Sequence, residues 1–460
     1  MIFQTGSNRL KFRFGSERGS FCFCVYSGGE SEESLYDEKG RRLLLPLHEV
    51  SYQRLWENTT MFDDHLFPTY TRYPISFTRG KGSWLYDKEG ANYVDFASGI
   101  AVASFGHCHP KLVEALCQQA SMLWHVSNLV DIPQSQRLAE RLASITFADR
   151  VFFANSGAEA NECAIKSARK YQYQRGYPGR YRILTLQNAF HGRTLGTIAA
   201  TGQDKYLEGF GPKVDGFDTL PIENHEEIAA WVSDASAAIM IEPIQGEGGV
   251  KVISHEHLIF LRQLCDTHGL LLIFDEVQTG MGRTGDLFAY SRSGVTPDIL
   301  TVAKGLGGGF PIGACLATND VAVAMGPGSH ASTFGGNPLA MACGNVVLDL
   351  LLERDFFKLM GEKACYVRSE LHDIKNSFPE LISDIRGVGL LIGIQVSVNN
   401  SIFISEAYRQ GLVLVGGGDN TVRILPALNI PQEDLKEGLY RLRCVCTEIR
   451  RNALPNVEKI

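Results

Sequence analysis

The sequence predicts an α/β protein: a large domain with a mainly parallel sheet between helices, followed by a smaller α+β domain. Three observations predict it. Short continuous apolar runs alternate with helical stretches between residues 111 and 345, as strands buried on both faces require. After about residue 345 the order changes to helix, strands and a closing helix. The 460 residues are also too many for one simple core, and two or three domains are expected at this length.

The elements follow in chain order. Residues 1–60 read differently from the rest: Arg9, Lys11, Arg13 and Arg18 stand against one acid, Glu17, before an apolar stretch at 21–26 and an acid-rich piece at 30–38. The apolar core of a secretory signal is missing. This part reads as an extension of unknown role, disordered, a targeting segment or untranslated, with Met61 as the alternative start. Residues 61–110 are expected to pack with the smaller domain, and within them 84–87 and 92–96 form a hairpin turning at 87–90. Helical periodicity marks 112–124 and 133–145. Strands are expected at 151–154, 183–186, 237–241, 270–274, 299–303 and 314–317, which places the large domain at 111–345. The small domain, 346–460, carries a helical stretch to Val367, a piece at 387–396, a helix near 404–409, strands at 412–415 and 422–425, and a last helix from Gln432.

Composition narrows the function. With 44 basic and 51 acidic side chains the net charge is −7, which weighs against a nucleic-acid or membrane-surface role. No apolar run reaches the roughly 18 residues of a membrane span. Eleven cysteines form no framework; Cys22/Cys24 and Cys444/Cys446 are C-x-C pairs. No spacing suggests a metal site, and reduced thiols in the cytoplasm are expected.

Ligands in open α/β sheets gather at the carboxyl ends of strands, and three motifs fall there. The segment ANSGAEAN at 154–161 opens a helix, with Ser156 and Glu159 at capping-box spacing. The amides of Gly157 and Ala158 would suit a phosphate, although plain helix capping explains the same residues. The run LLLIFDEVQ at 270–278 ends a buried strand on Asp275. That acid needs a partner, and a metal, an arginine or a cationic heterocycle would each serve. The run ILTVAKGLGGG at 299–309 closes an apolar strand on Lys304. Burial would lower the pKa of that amine and make it nucleophilic. The glycines after it would let backbone crowd a bound group. A phosphate seat, a buried carboxylate and a buried amine are together what pyridoxal 5'-phosphate (PLP) requires.

From residue 61 to the last helix the chain resembles the class III, fold type I PLP aminotransferases, and among them the branch acting on acetylornithine. The resemblance rests on LFPTYTR at 66–72, RGKGSWLYD at 79–87, DFASGIAV at 95–102, GHCHP at 106–110, NSGAEANE at 155–162 and FHGRT at 190–194. It continues through EPIQGEGG at 242–249, DEVQTG at 275–280, STFGGNP at 332–338 and RILPALN at 423–429.

The resemblance implies roles. Lys304 is the amine that condenses with the cofactor aldehyde and then moves the proton. Asp275 holds the pyridine nitrogen, with Glu276 and Val277 beside it and Gln278 near the ring hydroxyl. Gly157 and Ala158 bind the phosphate, Phe190 stacks on the ring, and Thr333 reaches the phosphate of a neighbouring subunit, which makes a homodimer with shared sites. Arg193 and Ser332 contact acetylornithine. Arg423 receives the α-carboxylate of glutamate, and Glu247 pairs with Arg423 when no carboxylate is present. The implied reaction moves the δ-amine of N2-acetylornithine to 2-oxoglutarate in the cytoplasm. Ornithine, 4-aminobutyrate or N-succinyl-diaminopimelate as donor, a PLP aminomutase, and a non-catalytic PLP-fold protein are the competing readings.

Overall fold

The computed structural model describes residues 65–453 and, before them, a short strand pair, Gln4–Thr5 with Asn8–Arg9. The expectation for the rest of 1–60 lies outside the described residues. Strands β1 (Phe77–Lys81), β2 (Trp84–Asp87) and β3 (Asn92–Asp95) form an antiparallel meander. Its second turn is shaped by Asp87, whose Oδ1 accepts from the amides of Glu89 (3.0 Å) and Ala91 (2.8 Å), the turn-forming use of a short acid. The expected hairpin is therefore present.

Helices α1 (Pro110–Ala120) and α2 (Pro133–Ser144) each begin on a proline, which suits a first turn whose amides lack intrahelical acceptors. The large sheet contains β4 (Arg150–Ala154), β5 (Arg182–Leu186), β6 (Phe217–Leu220), β7 (Ser236–Ile241), β8 (Leu271–Asp275), β9 (Ile299–Val302) and β10 (Gly313–Ala317). Their spatial order is β4-β10-β9-β8-β7-β5-β6. Only β10 runs against its neighbours. All six expected strands are found. The seventh, β6, escaped the periodicity because Asp218 and Thr219 interrupt a four-residue run. It lies at the sheet edge, where Asp218 pairs with Arg182 at 2.6 Å.

The middle strands form the core: Ala237, Ile239, Ile241, Leu272, Ile273 and Phe274 are fully buried. Each large one of these contributes about 1.5–3 kcal/mol by leaving water. Helix α3 (Gly157–Gln174) covers one face through Ala160, Cys163, Ala164 and Ala168, and this small-residue stripe lets its axis approach the strands closely.

Helix α4 (Pro338–Leu351) packs on α1 and α2, so the boundary read at 345/346 falls inside a helix of the large domain. The small domain follows with α5 (Phe356–Ser377), β11 (Ile382–Val388), β12 (Leu391–Val396), α6 (Asn400–Arg409), β13 (Leu412–Val413), β14 (Val415–Gly417), β15 (Thr421–Ile424) and α7 (Gln432–Ala453). Its sheet runs β11-β12-β15-β14. The strand expected at 412–415 is split: β13 leaves this sheet and pairs in parallel with β3. Arg441 of α7 also donates to the carbonyls of Asn92 and Gly411. The 77–95 meander is thus fastened to the small domain through Asn92–Asp95.

Candidate active site

Because β4, β5, β7, β8 and β9 run the same way, their carboxyl ends share one edge of the sheet. The residues that follow them line a cavity of about 390 Å³, among them Gly157, Phe190, Glu242, Asp275 and Lys304. That volume lies within the usual range for a small-molecule site.

At the end of β4, Ser156 caps α3 by accepting from the Glu159 amide at 3.2 Å. Glu159 reaches back to the Asn155 amide at 2.8 Å, one residue before the cap. Capping is therefore present, and Gly157 and Ala158 still face the cavity with first-turn amides that no intrahelical acceptor takes. Gly157 is required by packing: a Cβ there would lie 2.7 Å from Val277 Cγ1. Both readings of this segment hold at once, since a capped helix start is also an anion seat.

Asp275 ends β8 with 3 % exposure. Its Oδ2 accepts from Asn161 Nδ2 (2.7 Å) and His191 Nδ1 (2.8 Å), and Oδ1 accepts from the Val277 amide (3.0 Å). Asn161 is itself fixed by Thr301 Oγ1 at 2.6 Å and by the His191 carbonyl at 2.7 Å. Burial pulls His191 down, but the bond to Asp275, with the charges of Asp275 and Glu242, leaves its pKa raised. A carboxylate so held is aimed and kept available for a cation.

Lys304 follows β9 and is half-buried on the cavity wall, with φ of 42°. Burial, and then the positive charge of Arg423, lower its pKa to about 8 against the pull of Glu247, Glu242 and Asp275. A minority of the amine, far more than for an ordinary lysine, is thus neutral near physiological pH. The glycines after it serve a different purpose from the one expected. A Cβ on Gly305, Gly307 or Gly308 would meet Ser104, Ile312 or Leu112 within 2.8 Å. They allow the turn to pack into the protein, and of the run only Gly309 lines the cavity.

Arg423, on β15, is buried in the same place. Its guanidinium donates to the Gly416 carbonyl through Nε (3.1 Å) and Nη2 (2.6 Å), and Nη1 meets Glu247 Oε1 at 2.8 Å. Gln278 Oε1 lies 3.4 Å from the same Nη1. Also on the lining, Phe190 stands edge-on to Tyr206 with centroids 5.7 Å apart, and exposed Arg193 lies over the Tyr206 ring at 4.1 Å.

Three expected residues stand elsewhere. Glu276 points away from the cavity: its carboxyl accepts from the amides of Ala289 (2.7 Å) and Tyr290 (2.9 Å) and from Thr279 Oγ1 (3.1 Å). Successive side chains of an extended segment alternate sides, so Asp275 and Glu276 cannot both face the site. Ser332 sits one layer back, its Oγ 3.3 Å from Asn155 Nδ2 and accepting from the Gly335 amide. Thr333 is exposed and outside its own chain's cavity.

Asn161, His191 and Glu242 were not singled out from the sequence. All three lie inside motifs that were, but only the fold shows that they converge. Burial pushes the Glu242 carboxyl up to about 7, with His191 opposing and Asp275 adding to the shift. Among the described residues no cluster of three His, Cys, Asp or Glu side chains is arranged for a metal. The arrangement suits PLP: amides at a helix start for a dianion, a braced carboxylate for a ring cation, a partly neutral amine for an aldehyde, and an aromatic wall.

The family described as Aminotransferase class-III matches residues 67–445. The acetylornithine aminotransferase of Agrobacterium fabrum is 53% identical over 384 residues, spanning 84% of this chain and 96% of its own. Among solved structures, the N-acetylornithine aminotransferase of Stenotrophomonas maltophilia matches with a TM-score of 0.73 and 38% identity over 83% of this chain and 98% of its own. The ornithine aminotransferase of Toxoplasma gondii matches with a TM-score of 0.81 and 31% identity over 84% and 93%.

Proposed function

The chain belongs to the class-III aminotransferases, and on that premise we propose that it uses PLP to move the δ-amine of N2-acetylornithine to 2-oxoglutarate, giving N-acetylglutamate 5-semialdehyde and glutamate. The observation that carries the substrate assignment is the Glu247–Arg423 pair, whose Glu247 lines the same cavity as Lys304 and Gln278 while Arg423 is buried directly behind it.

When bound, PLP supplies a carbonyl for capturing amines and an electron sink for the carbon that bears them. The protein does the rest. Gly157 and Ala158 would hold the phosphate, Asp275 would keep the ring nitrogen protonated, and Phe190, Val277 and Gln278 would line the seat of the ring, whereas Glu276 holds the loop through Thr279, Ala289 and Tyr290. Lys304 would hold the cofactor through its amine, and its Nζ, when free, would take up and return the proton at the substrate carbon.

The two substrates differ in what lies beside the reacting amine. Glutamate brings a carboxylate, which Arg423 takes; acetylornithine brings a methylene, and Glu247 then neutralises Arg423. The α-carboxylate of acetylornithine lies at the far end, where Arg193 can hold it with both nitrogens. Ser332 stands behind Asn155, which lines the same cavity.

A homodimer with shared sites completes the reading. Met122, Trp124, Leu129, Val130 and Phe334 are each more than half exposed, as residues awaiting an interface are. His125 packs on Phe334 at 5.3 Å, and Asn128 Nδ2 donates to the carbonyls of Ser332 and Gly335. That apolar surface is therefore continuous with the loop bearing Thr333. A cytoplasmic setting fits the described cysteines, which are free thiols; no described helix is long and apolar enough to cross a membrane.

The test is a donor panel with 2-oxoglutarate as acceptor. Acetylornithine should exceed ornithine, 4-aminobutyrate and N-succinyl-diaminopimelate in kcat/KM. A higher value for any of the others overturns the substrate assignment, and activity without a keto acid overturns the reaction class.

A further inference from the structure

Glu242 has no part in the chemistry above, yet its buried carboxyl bridges two working parts of the site. Oε1 accepts from the Phe190 amide at 2.7 Å, and Oε2 accepts from the Gly246 amide at 3.2 Å. Phe190 carries the ring that covers the cofactor. Gly246 precedes Glu247, the residue that pairs with Arg423.

The backbone around Glu247 is held on both sides. Before it, Gly246 is pinned by Glu242 and lies against Gln278: a Cβ at 246 would stand 2.1 Å from Gln278 Oε1. After it, the Glu247 carbonyl accepts from the Gly418 amide at 2.7 Å, in the turn between β14 and β15. With both ends fixed, Glu247 can leave Arg423 by rotating its side chain and not by moving its loop. The rotation has room, because the Glu247 side chain is 24 % exposed while Arg423 is 1 % exposed.

We propose that Glu242 is a positioning residue that holds the aromatic cover of the cofactor and the backbone of the carboxylate switch in one register, so that exchange between the two substrates is a side-chain rotation on a fixed frame. The substrate side of this inference rests on the proposed transamination; the frame itself does not.

Glu242→Gln is the informative variant. The amide matches the carboxyl in shape but offers one acceptor oxygen and turns an NH2 toward the other backbone N–H, so one of the two bonds is lost. Hydrogen exchange on the cofactor-free protein reads the frame directly. Peptides covering Phe190 and Gly246 should exchange faster in the variant, while peptides from the small-domain helices stay unchanged. The two half-reactions, each followed alone by cofactor absorbance, read the switch. The ratio of kcat/KM for acetylornithine to that for glutamate should move by about tenfold, roughly one lost bond to a charged group, and Glu242→Asp should give a smaller change.

Equal slowing of both half-reactions, with exchange raised across the whole chain, would make Glu242 merely structural and overturn the proposal, as would unchanged exchange at both peptides. If the wild-type protein transfers no amine from acetylornithine, the functional reading fails, and the exchange result still decides whether Glu242 ties Phe190 to Gly246.

Discussion

Arg423 Nη1 and Glu247 Oε1 meet at 2.8 Å, with the arginine nearly sealed from water and the glutamate partly open to it. That asymmetry sets which partner moves. Withdrawing Arg423 would break two contacts with the Gly416 carbonyl, whereas Glu247 gives up only this pair and can reach solvent.

Glu247→Ala should therefore separate the two substrates. It leaves Arg423 buried without its counter-ion whenever acetylornithine is bound, a situation that costs about 3–5 kcal/mol in buried pairs. Glutamate supplies its own carboxylate and loses nothing. The expected result is a fall of at least about tenfold in kcat/KM for acetylornithine, with the glutamate half-reaction unchanged or faster. An unchanged ratio in single-turnover measurements would mean that the pair is only an ion pair in the wall.

The low pKa of Lys304 predicts how the cofactor-free protein takes up PLP. The neutral amine is the nucleophile. Burial, and then the charge of Arg423, bring its pKa down from 10.5 to about 8, so capture is slow below that pH, where the amine is protonated, and fast above it. The rate of forming a borohydride-trappable adduct at Lys304 should rise with pH through a midpoint near 8 and then level. A rate still climbing at pH 10 would show an amine with the ordinary pKa.

Much of this site was legible because its parts are strand-end residues. Asp275 and Lys304 close apolar runs that could only be buried strands, and a charged residue at such a place needs a reason. The anion seat was legible as a glycine at a helix start. What could not be read was the direction of side chains. Glu276 sits in the same acidic pair as Asp275, and only the strand's alternation sends it to the other side. Glu242 and His191 stand within recognisable motifs, but they are 33 and 84 residues from Asp275 in sequence (275 − 242 and 275 − 191), and nothing local reports their convergence. Strand β6 was missed for the same physical reason that made it an edge: one face of a four-residue run stays polar. Boundary 345/346 was misplaced because α4 belongs to the large domain by packing, whereas its sequence merely looks helical.

Glu276 offers a test of that correction. Its carboxyl is the acceptor for the buried amides of Ala289 and Tyr290, and each would be left unpaired in Glu276→Ala. An unsatisfied buried donor costs about 1–3 kcal/mol, so the variant should lose about 2–4 kcal/mol in urea unfolding. Cofactor capture by the folded fraction should stay within a few-fold of wild type. A stable variant that fails to hold PLP would instead put Glu276 back at the cofactor.

Thr333 allows the shared site to be tested by mixing subunits. It is exposed and lies outside the cavity formed by its own chain, so the phosphate contact that the resemblance implies would be made across an interface. Lys304→Ala removes the amine and should lower turnover by about 10⁴-fold or more. Thr333→Glu places a carboxylate where the dianion is to bind and should also abolish activity. In a mixed dimer one site receives both lesions, and the other combines the intact Lys304 of one subunit with the intact Thr333 of its partner. Random pairing of the two inactive variants should then restore about a quarter of wild-type activity, read after co-refolding and checked against each variant refolded alone. If Thr333 served its own chain's site, every site in the mixture would carry one lesion, and no activity would return at any mixing ratio.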